Sequence, residues 1–200
     1  MRPDQIAPDR RAILRGGAAL LAGLFLAGHT PYRQWDVYRM KHLLIGTSRE
    51  DAPSYPLGKR LAALLAEAAP ETSARVTRAR SLKRLGSLLS TEQLQVLLIS
   101  EPYLRDLALG QGAFAAFGPI PVARIFRFGA LLLVVRADFP ASHAWVVTRA
   151  LMDNAAELGG TPPGAAGAPA PVHPGALAAL EGRDMPRDED RESGDPAHRP

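Results

Sequence analysis

The stretch HLLIGTSREDAPSYPLGKRLAALLAEAAPETSARVTRARSLKRLGSLLSTEQLQVLLI, residues 42–99, alternates two kinds of hydrophobic pattern, and that alternation sets the fold class. Residues 42–46 (His-Leu-Leu-Ile-Gly) are an apolar run ending in glycine, as a buried strand does. Pro56 then opens a segment with Leu57, Leu61, Leu64 and Leu65 on one face and Lys59, Arg60 and Glu67 largely elsewhere, an amphipathic helix that Pro70 stops. Residues 73–77 alternate as a second strand, and residues 94–99 form a third. Between them Ser81 is placed to cap a helix through Leu82, Leu85, Leu88 and Leu89. The order βαβαβ calls for parallel strands joined by crossovers, with helices covering the sheet, so the predicted class is α/β with a mostly parallel sheet.

Working outward, residues 102–109 read as a short third helix and 110–121 as a Gly/Phe-rich loop. Two further strands, 123–128 and 130–136, pair across Gly129. Pro140 starts a long helix through Trp145, Val146, Leu151 and Leu158, which Gly159 ends; Trp145, Leu151 and Met152 are assigned to its core side. Residues 160–171 have the Gly/Ala/Pro/Thr composition of a linker. His173 orders the Pro174-Gly175 turn into a short helix ending near Leu180, within a returning segment 172–182. Residues 183–200 are rich in Asp, Glu, Arg, Pro and Ser, with almost nothing to bury, and are expected to be disordered. The expected organisation is a leader over 1–30, an α/β lobe over 31–159, the linker, the returning helix and the tail.

Two hundred residues accommodate one ordinary domain plus extras, and not two large ones. The chain has no cysteine, which excludes disulfides, thiolate metal sites and a cysteine nucleophile. Its net charge of +4 comes partly from Arg2, Arg10, Arg11 and Arg15 in the leader. Without residues 1–30 the 20 basic residues that remain face 18 acidic ones, a balance that speaks against a nucleic-acid binder. Asp9-Arg10-Arg11-Ala12-Ile13-Leu14-Arg15, followed by an uncharged apolar run over 16–28, has the charged and apolar regions of an export signal. It resembles the twin-arginine consensus, which implies a periplasmic protein whose only membrane contact is this segment. No clean small-x-small triplet stands around residues 26–28, so both cleavage near 27–30 and retention as an inner-membrane anchor are open.

Ile45-Gly46-Thr47 followed by Tyr55-Pro56-Leu57-Gly58 resembles the start of the TAXI-type solute-binding proteins that serve TRAP transporters. Residues 81–85, 94–99, 131–138, 145–154 and Val172-His173-Pro174-Gly175-Ala176 extend the likeness over most of 42–180. The resemblance implies a periplasmic-binding-protein-like lobe. Family members, however, are about twice as long and close two lobes on a ligand; here the chain passes from Phe128 to Ala130 where the family inserts its second lobe, so a single lobe is expected. The family's glycine-rich ligand loop is replaced by Ser48-Arg49-Glu50-Asp51-Ala52-Pro53, and the asparagine usual in its second helix start by Arg84.

In an open parallel sheet, ligands sit outside the carboxyl ends of the strands, near helix N-termini. The corresponding residues are Thr47, Ser48, Ser54 and Tyr55 after the first strand, Arg78, Arg80 and Ser81 after the second, and Ser100 and Glu101 after the third. Arginines there suit a carboxylate, so a small organic acid or amino acid is the implied ligand. TRAP membrane subunits, or a second copy supplying the missing wall, are the implied partners. The competing reading is a periplasmic accessory protein that keeps the lobe as a scaffold without ligand binding, in which the arginines are a solvated rim. The histidines show no metal-ligand spacing, no serine stands in a nucleophile motif and no phosphate-cradling loop is present, so neither enzymatic activity, metal nor cofactor is expected. His143 is assigned to the helix surface or core edge.

Overall fold

Runs of apolar residues four to six long cannot hide on one face of a strand, so a sheet built from them must be covered on both sides. The computed structural model, which describes residues 42–164 and 169–187, has that arrangement. The elements in chain order are β1 (Leu44–Ser48), α1 (Ser54–Ala68), β2 (Arg75–Ala79), α2 (Leu82–Ser90), β3 (Val96–Ser100), α3 (Glu101–Leu109), β4 (Val122–Phe128), β5 (Leu131–Arg136), α4 (Ala141–Asn154), β6 (Gly160–Thr161) and α5 (Pro174–Leu180). Short 3-10 turns add Pro70–Thr72, Gly112–Phe117 and Ala155–Leu158. The expected leader, residues 165–168 of the linker and residues 188–200 lie outside the described residues. No helix among those described is long and apolar enough to cross a membrane.

The six strands form one sheet in the order β2-β1-β3-β5-β4-β6. β1 pairs in parallel with β2 and β3, whereas β5 runs antiparallel to both β3 and β4, and β6 antiparallel to β4. Four strands, β1 to β4, therefore point one way. The fold is α/β with helices on both faces, consistent with a single lobe of the kind found in periplasmic binding proteins. β4 and β5 are a hairpin turning at Gly129, whose φ of +59° suits glycine.

Side-chain alternation divides the core in two. Val96 and Leu98 of β3, with Leu131, Leu133 and Val135 of β5, join Leu61 and Leu65 of α1 and Val147 and Leu151 of α4. Leu97 and Ile99, with Leu132 and Val134, point the other way onto Leu85 and Leu89 of α2, Leu104 and Leu107 of α3 and Phe114. Phe114 is why 110–121 is more than a loop: the 3-10 turn drives this ring into the core, fully buried. Gly46 lets the second layer close, because a side chain there would strike Leu94 and Leu97. On α4, Leu151 is buried as expected, but Trp145 is half-buried with its Nε1–H donated to the Arg183 carbonyl at 2.9 Å, and Met152 is 38% exposed. The helical period places Met152 one step past the buried stripe of Ala144, Val147, Thr148 and Leu151. His143 is exposed, its ring edge-on to Phe139.

The segment after α4 is tied back to the sheet. Val172 bridges in parallel to Arg124, whose backbone N–H reaches the Pro171 carbonyl at 2.7 Å, and the His173 N–H reaches the Arg124 carbonyl at 2.9 Å. With β6, this return covers the outer edge of β4, which would otherwise present unpaired backbone groups. The Arg124 side chain, 3% exposed, donates from Nε to the Ala170 carbonyl at 2.7 Å and from Nη1 to the Gly164 carbonyl at 2.8 Å. Burial, with the charge of Arg127 nearby, lowers its pKa below the usual arginine value, and Glu101 acts in the opposite sense. Replacing Arg124 by methionine keeps the bulk and deletes both clamps. The expected result is a loss of about 2 kcal/mol in chemical denaturation and faster proteolytic nicking within 160–171, since two carbonyls lose charged donors.

Candidate functional site

β1, β2 and β3 end at one edge of the sheet, and the loop 49–53 after β1 touches the ends of the other two strands. The Arg49 N–H reaches the Ala79 carbonyl at the end of β2. The Asp51 carboxylate accepts the Ser100 N–H at 2.9 Å and the Ser100 hydroxyl at 2.6 Å at the end of β3. The Glu50 carboxylate accepts the Leu82 N–H at 2.8 Å, at the first residue of α2. All nine residues read from the sequence as ligand-facing lie along this edge or just inside it.

Their side chains are occupied in different ways. Thr47 and Ser48 are fully buried; the Thr47 hydroxyl donates to the Thr77 carbonyl at 2.8 Å and Ser48 Oγ accepts the Glu50 N–H at 3.2 Å. Ser54, also fully buried, donates its hydroxyl to the Asp51 carbonyl at 2.7 Å and accepts the Ser48 N–H at 3.4 Å. These bonds fold the loop back on itself at the start of α1, whose capping position is Pro53 and so has no side-chain acceptor to offer. Tyr55 is half-buried and carries two cations on its ring, the Arg78 guanidinium 4.7 Å and the Lys59 ammonium 5.7 Å from the centroid. Ser81 caps α2 by accepting the Arg84 N–H at 3.1 Å, in extended backbone geometry, as its position in the sequence implies. Arg80 is exposed. Glu101, the first residue of α3, pairs with Arg127 at 3.0 Å and donates its N–H to the Ala130 carbonyl at 3.1 Å, so the β4–β5 hairpin rests on that helix start.

Glu50 and Asp51 are the residues the sequence reading missed as actors. Their partners stand 32 and 49 positions away, a separation no local pattern exposes. The one available signal was the substitution itself, two adjacent acids where a ligand-cradling loop would carry glycine. The positions at which a bound anion would meet the backbone N–H groups of Leu82 and Ser100 are filled by the chain's own carboxylates. Among the described residues no buried side-chain nitrogen or oxygen lacks a partner. The arrangement can therefore hold a loop rigidly between three strands, and it presents arginine and lysine outward from a satisfied interior. No family model matches the chain, and no curated protein matches it.

Proposed function

We propose that this chain is an exported protein of the bacterial envelope that uses a single solute-binding-type lobe as an interaction scaffold and not as a receptor for a small solute. The observation that carries this reading is the occupation of the Leu82 and Ser100 N–H groups by Glu50 and Asp51, together with the internal bonding of Thr47, Ser48, Ser54 and Ser100. A ligand carboxylate reaching the Leu82 or Ser100 N–H would have to displace a charge-assisted bond already made, and a one-lobed edge cannot enclose it against water. The export half of the reading rests on the leader sequence, with Arg10-Arg11 ahead of the apolar run.

The test is a thermal-shift screen of the chain against dicarboxylates and amino acids at millimolar concentration. A solute present at a hundred times its Kd would stabilise the lobe by about 2.7 kcal/mol, a rise in Tm of roughly ten degrees for a domain of this size. A flat screen is the expected outcome. A reproducible shift with one acid, lost on changing Arg78 or Arg80, would return the chain to the solute-receptor reading.

A further inference from the structure

Six cations from four elements gather at the β1/β2 end of this edge: Arg49 in the loop, Lys59 on α1, Arg78 and Arg80 at and after the end of β2, and Lys83 and Arg84 in the first turn of α2. All six are exposed. Their proximity is fixed by the contacts of Arg78 and Lys59 with one Tyr55 ring and by the Arg49 backbone bond to Ala79, between Arg78 and Arg80. Among the described residues none of the six joins a carboxylate, and the acids of this edge are committed elsewhere, Glu50 to the Leu82 N–H, Asp51 to Ser100 and Glu101 to Arg127.

The placement runs against the local electrostatics of α2. A helix favours acids in its first turn and bases in its last. α2 has Lys83 and Arg84 in its first turn and no acid there; α1 has no acid in its first turn and carries Glu67 in its last. Arg84 also occupies the position, three residues after the Ser81 cap, at which glutamate would complete a capping box. The start of α2 is not an open anion site, since Ser81 and Glu50 already cap it. The first-turn cations of α2 breach that rule on the same exposed surface where the other four cations stand, which marks a place where charge is kept for a partner.

We infer that this cationic edge docks the lobe on the surface of an anionic phospholipid bilayer. The inference rests on the envelope half of the reading above. Charge complementarity supplies the first argument, because several lysines and arginines on one surface bind a negatively charged leaflet additively. The second lies in the sequence: the uncharged run over 16–28 is thirteen residues, short of the roughly 20 a span requires, and stable attachment by a weak apolar segment needs a second signal.

The experiment compares the full chain with its Lys83→Gln/Arg84→Glu variant in flotation with vesicles of phosphatidylcholine alone and with 30% phosphatidylglycerol added, a chosen test composition of about a third. The leader, with its own arginines, is identical in both chains and cancels in their ratio. The expected result is at least a tenfold weaker association of the variant with the anionic vesicles, at roughly fivefold for each charge removed, and a wild-type association that fades at high salt. The variant should be no less stable than the wild type, since a glutamate three residues after Ser81 completes the capping box. Equal association of both chains with the anionic vesicles would overturn the proposal. So would release by millimolar inorganic phosphate at constant ionic strength, which would assign the cations to a small free anion. Failure here leaves the flat solute screen standing, whereas a solute shift would sink the scaffold reading without touching the vesicle ratio.

Discussion

Asp51→Ala is expected to lower the stability of the lobe by about 3 kcal/mol, roughly ten degrees in Tm, as read by chemical denaturation and calorimetry. The side chain is 3% exposed and its two oxygens hold the N–H and hydroxyl of Ser100 where β3 ends and α3 begins. Truncation leaves both groups without their charged acceptor at a site largely closed to water, and the desolvation penalty falls on the folded state alone. Its backbone carbonyl, which accepts the Ser54 hydroxyl, remains, so the start of α1 should keep its shape. Asp51→Asn keeps an acceptor for the Ser100 N–H and should cost about half as much. In a double-mutant cycle with Ser100→Ala the two changes should be clearly less than additive, because they remove a shared bond. Additive costs would mean that the Asp51 carboxylate does not hold β3 to the loop.

Gly175→Ala should be as damaging, with a cost of about 3 kcal/mol concentrated in the return of the chain. A side chain at Gly175 would be driven into the Ala141 carbonyl oxygen at the start of α4, and backbone cannot swing aside as the end of a long side chain can. Gly175 is also held in place, since its N–H donates to His173 Nδ1 at 3.2 Å. That assigns the ring proton to Nε2, which lies 3.1 Å from the Phe139 carbonyl and donates to it. Thus α5 has no room to slide. Hydrogen exchange should accelerate over 172–183 in the variant, while β1 to β3 keep their protection. The control is Leu177→Ala on the same helix, where the side chain is 41% exposed and the change should stay within about 0.5 kcal/mol.

Much of the lobe is readable in the chain because its elements are locally consistent. Ser81 caps α2, Pro70 stops α1, Gly159 takes the left-handed conformation after the 3-10 turn Ala155–Leu158 into which α4 passes at Asn154, and Gly129 turns the hairpin, each for a reason confined to a few residues. The first two strands come out two residues later than their patterns imply: β1 covers Leu44–Ser48 and β2 covers Arg75–Ala79. Their last two pairs, Ser48 with Ala79 and Thr47 with Arg78, include polar and charged residues, and ladder bonding continues past the end of the hydrophobic signal. The 3-10 turn carrying Phe114 and the exposure of Met152 were not legible, since each depends on which neighbour stands opposite.

The candidate site divides along the same line. Local spacing placed its nine residues at the carboxyl edge, a consequence of βαβ order that any such chain would share. Whether that edge is open to a solute is a question of tertiary contact. Glu50 and Asp51 reach α2 and β3 only because the sheet brings positions 32 and 49 apart into touch, and a bond of 2.6 Å between Asp51 and Ser100 leaves no trace in either local sequence. By itself the sequence determined the α/β class and the element order, since hydrophobic period, caps and turns act over a single turn or strand. The folded chain alone decided that four strands share a direction, that Arg124 and His173 bind the return, and that two carboxylates close the strand ends, since charge and hydrogen bonding are settled by what meets across space.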